Sequence, residues 1–234
     1  DRWIQLGYTF DFGEKTEETL RAGIQYFKTK PKRFLYASAL PIVNSILATF
    51  RKSPEVRVIE VAGSFRRGKE TVGDLDFLAV SNTPAKVMNI FTTISDVKEI
   101  LAHGTTKSSI RLQNGLQVDL RVVHEKEFGS AMNYFIGSKE HNVELRKLAL
   151  SKGYTLNEYG LFTLKSKKWI AGRTEKEIYQ KLGLQQIAPE LRENHGEIAA
   201  AQQKKLPTLI TVKDLNGVFH NHTTWSDGQT NSEF

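Results

Sequence analysis

Apolar residues recur along this chain at two different spacings, and the spacing changes several times. In "GEKTEETLRAGIQYF", Leu20, Ile24 and Phe27 fall on one stripe of a helix that Thr16 can cap. Gly13, Glu14 and Lys15 offer backbone amides at that helix entrance. A second helical run covers 35–50, with Pro41 as a kink or early-turn residue. Strand-like runs follow near 56–62, 74–80, 96–102, 107–112 and 116–123, interrupted by a helix near 84–93. From 127 the period becomes helical again, over 127–135 and 138–151. Residues 154–164 read as a hairpin turning at Asn157-Glu158, and 174–184 as a capped helix ending at Gly183. The stretch "GEIAAAQQKKLPTLIT" is rich in Ala, Gln and Lys and ends near a proline, so 185–213 reads as a surface helix and a linker. Helices, then a mixed sheet, then helices and a hairpin predict an α+β fold.

Two of the strands break the expected alternation in an informative way. Residues i and i+2 of a strand share a face, so Asp74 and Asp76 point to one side while Leu75 and Phe77 pack on the other. In "GLQVDLRVV", Leu116, Val118, Leu120 and Val122 point one way, and Gln117, Asp119 and Arg121 point the other. Asp119 is therefore a candidate third carboxylate on a neighbouring strand. Three clustered carboxylates repel one another, and a cation relieves that repulsion. Oxygen-only ligands favour Mg²⁺ or Mn²⁺. Two such ions about 3.5–4 Å apart support phosphoryl transfer.

An isolated Asp-x-Asp is more often a pair of strand-edge charges matched by nearby Lys or Arg. Here it follows "GSFRRG", whose Gly63 lets a phosphate approach the backbone, whose Ser64 adds a hydroxyl and whose Arg67 adds a forked cation. Taken alone, that segment would be a basic surface turn. Together the two point to nucleotide chemistry.

The composition adds limits more than direction. The 234 residues include 33 Lys and Arg against 26 Asp and Glu, for a net charge of +7, which suits a polyanionic partner without requiring one. There are no cysteines, which removes disulfides, thiolate metal sites and cysteine nucleophiles and fits an intracellular location. No apolar run reaches the roughly 18–20 residues of a membrane span. The chain starts without methionine and stops inside a motif, as an internal fragment of a longer protein would.

Gly-Ser, Asp-x-Asp and a third strand Asp resemble the nucleotidyltransferase superfamily. With "AGSFRRGKETVGDLDFL", "QVDLRVV" and "NYFIGSKEHNVELRKLALSKGYTLNEYGL", the chain resembles a bacterial X-family DNA polymerase of the polymerase beta type over roughly residues 10–190. The resemblance implies a nucleotidyltransferase-type palm with a mixed β-sheet, flanked by helical subdomains. Its divisions are a helix-hairpin-helix-like subdomain at 1–32, the palm at 33–125, a nascent-base-pair-binding subdomain at 126–190 and a linker at 191–213. It implies template-directed addition of dNTPs to a primer in short-gap or base excision repair, by a bacterial, cytoplasmic monomer acting on primer–template or gapped DNA.

The resemblance also implies roles. Asp74, Asp76 and Asp119 would be catalytic and hold two Mg²⁺ or Mn²⁺ ions, with Asp119 accepting the primer hydroxyl proton. Gly63, Ser64, Arg67, Gly73 and Arg33 would contact the triphosphate. Tyr134, Phe135 and Gly137 would read the sugar, and Lys139 and Asn142 would complete the nucleotide site, with Lys139 where a family member has an acid. From periodicity alone, Tyr134, Phe135 and Tyr159 read as core. Arg146, Tyr159, Arg121 and Lys15 would face DNA, although Asp11 stands where the hairpin has its first glycine. The tail 214–234, "DLNGVFHNHTTWSDG" onward, resembles the first motif of a PHP phosphoesterase domain, with His220, His222 and Asp227 as ligands only in a complete domain. The alternatives are a template-independent nucleotidyltransferase, which should lack "YFIGS" and "NEYG", and an inactive DNA-binding fragment.

Overall fold

The computed structural model describes residues 33–217, 219, 220 and 222. The expected helix at 16–27, together with Asp11 and Lys15, lies outside the described residues, as does Asp227.

The first core is built on a five-stranded mixed sheet. Strand β1 (Phe34–Leu35) leads into helix α1 (Tyr36–Arg51), whose buried Ala39, Val43, Ile46 and Phe50 form one stripe at helical spacing. Pro41 is accommodated inside this helix and does not end it. Strand β2 (Val58–Val61) runs into a single helical turn, α2 (Gly63–Arg66). The short β3 (Thr71–Val72) pairs with β1 and delivers the chain to β4 (Asp74–Val80). Helix α3 (Pro84–Thr92), β5 (Val97–His103) and β6 (Lys107–Leu112) then precede β7 (Gln117–Val123). The strand order is β2-β4-β7-β6-β5, with β4 and β7 parallel and the other neighbours antiparallel.

One face of the sheet carries Leu75, Phe77, Ala79, Val118 and Leu120 into a core with α1 and α3. The other face is divided. At Leu78 it is covered by α4 (Phe128–Ile136), through a small apolar cluster of Ala62, Leu78, Ala131, Met132 and Ile136. Towards Asp74 and Asp76 it stays open.

Described residues from Lys139 onward form a second core. It comprises α5 (Lys139–Ser151), strands β8 (Tyr154–Asn157), β9 (Gly160–Thr163) and β10 (Trp169–Ala171), helix α6 (Glu175–Lys181) and α7 (Glu197–Gln202). The hairpin forms over the expected residues, but Asn157 pairs with Gly160, so its two-residue loop is Glu158-Tyr159, one residue later than expected. The third strand, β10, and the small β1–β3 pair are additional.

The reading of 185–213 as surface helix and linker needs correction. Ile187 and Ala201 are buried in the second core, Arg192 is wholly buried, and Glu197 is buried as well. The Ala- and Gln-rich composition hid this, because the burial rests on charged side chains that pair inside the core. His141 Nδ1 lies 2.6 Å from Glu197, and Arg192 Nη1 lies 2.6 Å from Glu175. The described residues from about Leu206 onward are largely exposed.

Candidate active site

The parallel pairing of β4 with β7 sets Asp76 opposite Asp119 and Asp74 opposite Gln117. All four side chains therefore project from the open face of the sheet. Gln117 Nε2 donates to Asp119 Oδ1 at 3.1 Å. Gly63 begins the turn after β2 with φ near +62°, and a Cβ there would stand 2.7 Å from Asp76 Oδ2. Glycine is what lets this turn close against the carboxylate.

The carboxylates strain one another. Burial, and then the charges of Asp74 and Asp119, raise Asp76 to about 7, against the opposing pull of Arg121 and Lys107. Asp74 is also raised, by burial and by Asp119, with Arg33 offsetting. Among the described residues no three His, Cys, Asp or Glu side chains already converge as a ligand cluster. The donor set still fits a hard divalent cation: it is all oxygen, it lies on two adjoining strands, and its excess negative charge calls for positive charge.

Across from the carboxylates stands the start of the second subdomain. A cleft of about 340 Å³ is lined by Gly63, Ser64, Arg67, Asp74 and Asp76 on the side of the five-stranded sheet. Tyr134, Phe135, Gly137, Lys139, Asn142 and Arg146 line the other side, with Ile136 and Ser138. Ser138 caps α5 by accepting from the His141 amide at 3.2 Å. Asn142 Nδ2 donates to the Tyr134 carbonyl at 2.7 Å, and Arg146 Nε to the Asn142 carbonyl at 3.1 Å. These bonds bind the "YFIG" segment to α5 as one unit.

Other expected residues sit around this cleft. Arg33 donates to Thr71 through Nε at 2.9 Å and Nη2 at 2.7 Å, and its Nη1 backs onto Gly73. Both residues thus flank Asp74 without lining the cleft. Arg121 lies over the Phe135 ring at 4.6 Å. Tyr159 is 56% exposed at the tip of the β8–β9 turn, outside the cleft lining. It is therefore not core. His220 and His222 stack with ring centroids 4.6 Å apart, away from any third ligand among the described residues.

Sequence reasoning missed Glu193. Its Oε1 accepts from Arg67 Nε at 2.8 Å. An acid in a stretch that looked like a linker gives no signal of this kind. A larger groove of about 440 Å³, between α1 and Leu112–Asn114, is mainly apolar and lies across the sheet from the carboxylates.

The DNA polymerase beta thumb family matches residues 131–193, which begin in α4 and run past α6 to the turn bearing Glu193. The DNA polymerase/3'-5' exonuclease PolX of Bacillus subtilis (strain 168) is 33% identical over 219 residues, which is 93% of this chain and 38% of that protein. The chain belongs to the X family of DNA polymerases. Two further X-family relatives are similar to it. Human DNA-directed DNA/RNA polymerase mu is 36% identical over 241 residues, 82% of this chain and 49% of its own length. Rat DNA polymerase lambda is 31% identical over 159 residues, 56% of this chain and 28% of its own. The chain thus spans less than half the length of the relatives it matches. The α+β architecture, with its mixed sheet, agrees with this family. Among the described residues no helix is long and apolar enough to cross a membrane.

Proposed function

We propose that this chain is the polymerase portion of an X-family enzyme that adds deoxynucleotides to a primer 3′ end, directed by the template strand of gapped DNA. One observation carries the proposal: Asp74, Asp76 and Asp119 share the open face of the palm sheet, beside a Gly63-Ser64 turn and opposite a thumb segment that completes the cleft.

The residues divide the reaction among them. Gly63, Ser64 and Arg67 hold the triphosphate, with Arg33 and Gly73 behind Asp74. Tyr134, Phe135 and Gly137 stand against the sugar, and Lys139 and Asn142 against the rest of the nucleotide. Arg146 and Arg121 approach the DNA, while Tyr159 is placed for DNA only from outside the cleft. Asp119 accepts the proton of the primer 3′-hydroxyl. That oxygen bonds to the α-phosphorus as the bond to pyrophosphate breaks. Mg²⁺ or Mn²⁺ held by the three carboxylates would supply neutralisation of the attacking and leaving oxygens. Catalysis here is positioning and electrostatics, without a covalent enzyme intermediate.

The test is primer extension on a one-nucleotide-gapped duplex with Mg²⁺ or Mn²⁺. Templated extension by the unaltered chain, reduced at least ~100-fold in Asp119→Ala, is the expected result. Untemplated addition would point to a tailing enzyme. Tight binding of gapped DNA without extension in either metal would sink the proposal.

A further inference from the structure

Three palm cations reach across to one turn of the thumb. Arg66 Nη1 meets Glu190 at 3.5 Å, and Lys69 Nζ meets Glu193 at 3.5 Å. The Arg66 pair is about half exposed on both sides, and such pairs contribute little. The Arg67–Glu193 pair differs, with its side chains only 13% and 22% exposed. Arg67 Nη1 also donates to the carbonyl of Ile136. The thumb therefore holds Nε and Nη1, while Nη2 bonds to nothing among the described residues and the side chain lines the cleft.

Glu193 is itself firmly placed. Its neighbour Arg192 is fully buried, donates twice to the Ile187 carbonyl at 3.1 and 2.8 Å, and accepts from the Ser138 amide at 2.9 Å through its own carbonyl. Burial alone would raise the Glu193 carboxyl. The hydrogen bond from Arg67 and the charges of Arg67 and Lys69 outweigh burial and hold it below the usual range.

A guanidinium is a planar fork. Fixing two of its nitrogens fixes the plane, and with it the direction of the third. A free arginine must give up rotamer freedom on binding a phosphate, and one already held gives up less.

We propose that Glu193 is the positioning residue for the nucleotide's triphosphate, holding Arg67 so that its remaining donors face the cleft. The phosphate site is then a joint product of palm and thumb. This rests on the polymerase reading of the cleft. A triphosphate should bind well only while the turn bearing Glu193 is docked on Arg67.

Binding is read on the whole chain with a one-nucleotide-gapped duplex and Mg²⁺, using an α,β-imido analogue of dTTP and, separately, dTMP. Glu193→Gln should weaken the triphosphate about tenfold, the worth of one weakened charge-assisted hydrogen bond. Glu193→Asp, which keeps the charge, should lose less. Glu190→Gln should match the unaltered chain, and dTMP affinity should not move. Where extension is measured, KM for dNTP should rise in Glu193→Gln while kcat holds. Unchanged or tighter triphosphate binding in Glu193→Gln overturns the inference, as does an equal loss for mono- and triphosphate. If the unaltered chain extends primers in that case, the polymerase reading stands without this one. If the unaltered chain binds no triphosphate, both fall.

Discussion

Gly63 occupies backbone space with φ near +62°, and any side chain there would meet the Asp76 carboxylate. Gly63→Ala would add about 1 kcal/mol of backbone strain. The larger effect falls on Asp76, whose carboxylate must turn away from a Cβ placed 2.7 Å from Oδ2. Because a misplacement of about 1 Å can cost ~100-fold in rate, extension by Gly63→Ala should fall by that order while thermal unfolding shifts by only a few degrees. A variant with near-normal extension would show that Asp76 tolerates the displacement. At this scale much of the site was legible. Strand alternation alone puts Asp74 and Asp76 on one face, and the pairing of β4 with β7 confirms that Asp119 joins them. The partner of Arg67 was not legible, because a pairing across more than a hundred residues of sequence leaves no local pattern.

Among the elements, the helices and strands with a strong apolar period were readable to within a residue or two. The palm strand at 74–80 and the strand at 107–112 fall where the alternation places them. The segment from 185 to 203 was misread, because its burial depends on pairing between charges. Arg192 stacks over Tyr179 at 5.5 Å and binds Glu175 and the Ile187 carbonyl, all within the second core. Removing the guanidinium while leaving its partners buried should cost about 3–5 kcal/mol, so Arg192→Ala should unfold at markedly lower denaturant concentration. An Arg192→Met, Glu175→Gln double variant should recover part of that loss, since neither partner is then an unpaired charge. A small effect of Arg192→Ala would mean that this segment is not held by the core it enters.

For the molecule as a whole, stability should depend on pH through groups of opposite sign: the raised Asp76 favours the folded chain on acidification, whereas the buried His141–Glu197 pair disfavours it. Burial lowers the pKa of His141 despite its hydrogen bond to Glu197, so the folded ring stays neutral. Nδ1–H then donates to Glu197, and Nε2 accepts from the Tyr179 hydroxyl at 3.3 Å. Burial would raise Glu197, but the hydrogen bond from His141 and those from the backbone outweigh it and lower its pKa. In both cases the unfolded chain takes up a proton that the folded chain resists. The contribution of this pair therefore falls on acidification, first as the unfolded histidine protonates at pH ~6.5 and further as glutamate does at ~4.3. Unfolding free energies measured between these limits and neutrality, compared with those of His141→Gln, should show the advantage of the unaltered chain rising with pH. A profile unchanged by the substitution would assign the slope to other groups. Because Glu197 also accepts from the amides of Asn194 and His195, acid should loosen the turn adjoining Glu193 early.

The parallel partnership of β4 and β7 has a further consequence. An antiparallel hairpin would tie the register of the two carboxylate-bearing strands to the length of a tight turn. Here the backbone hydrogen bonds of the sheet alone keep Asp76 level with Asp119, and the chain between them makes a long excursion through α3, β5 and β6. Descent with modification therefore has unequal licence along this stretch. The excursion can lengthen, shorten or acquire decoration without shifting the carboxylates, whereas one residue gained or lost inside either strand would turn an acid into the apolar core.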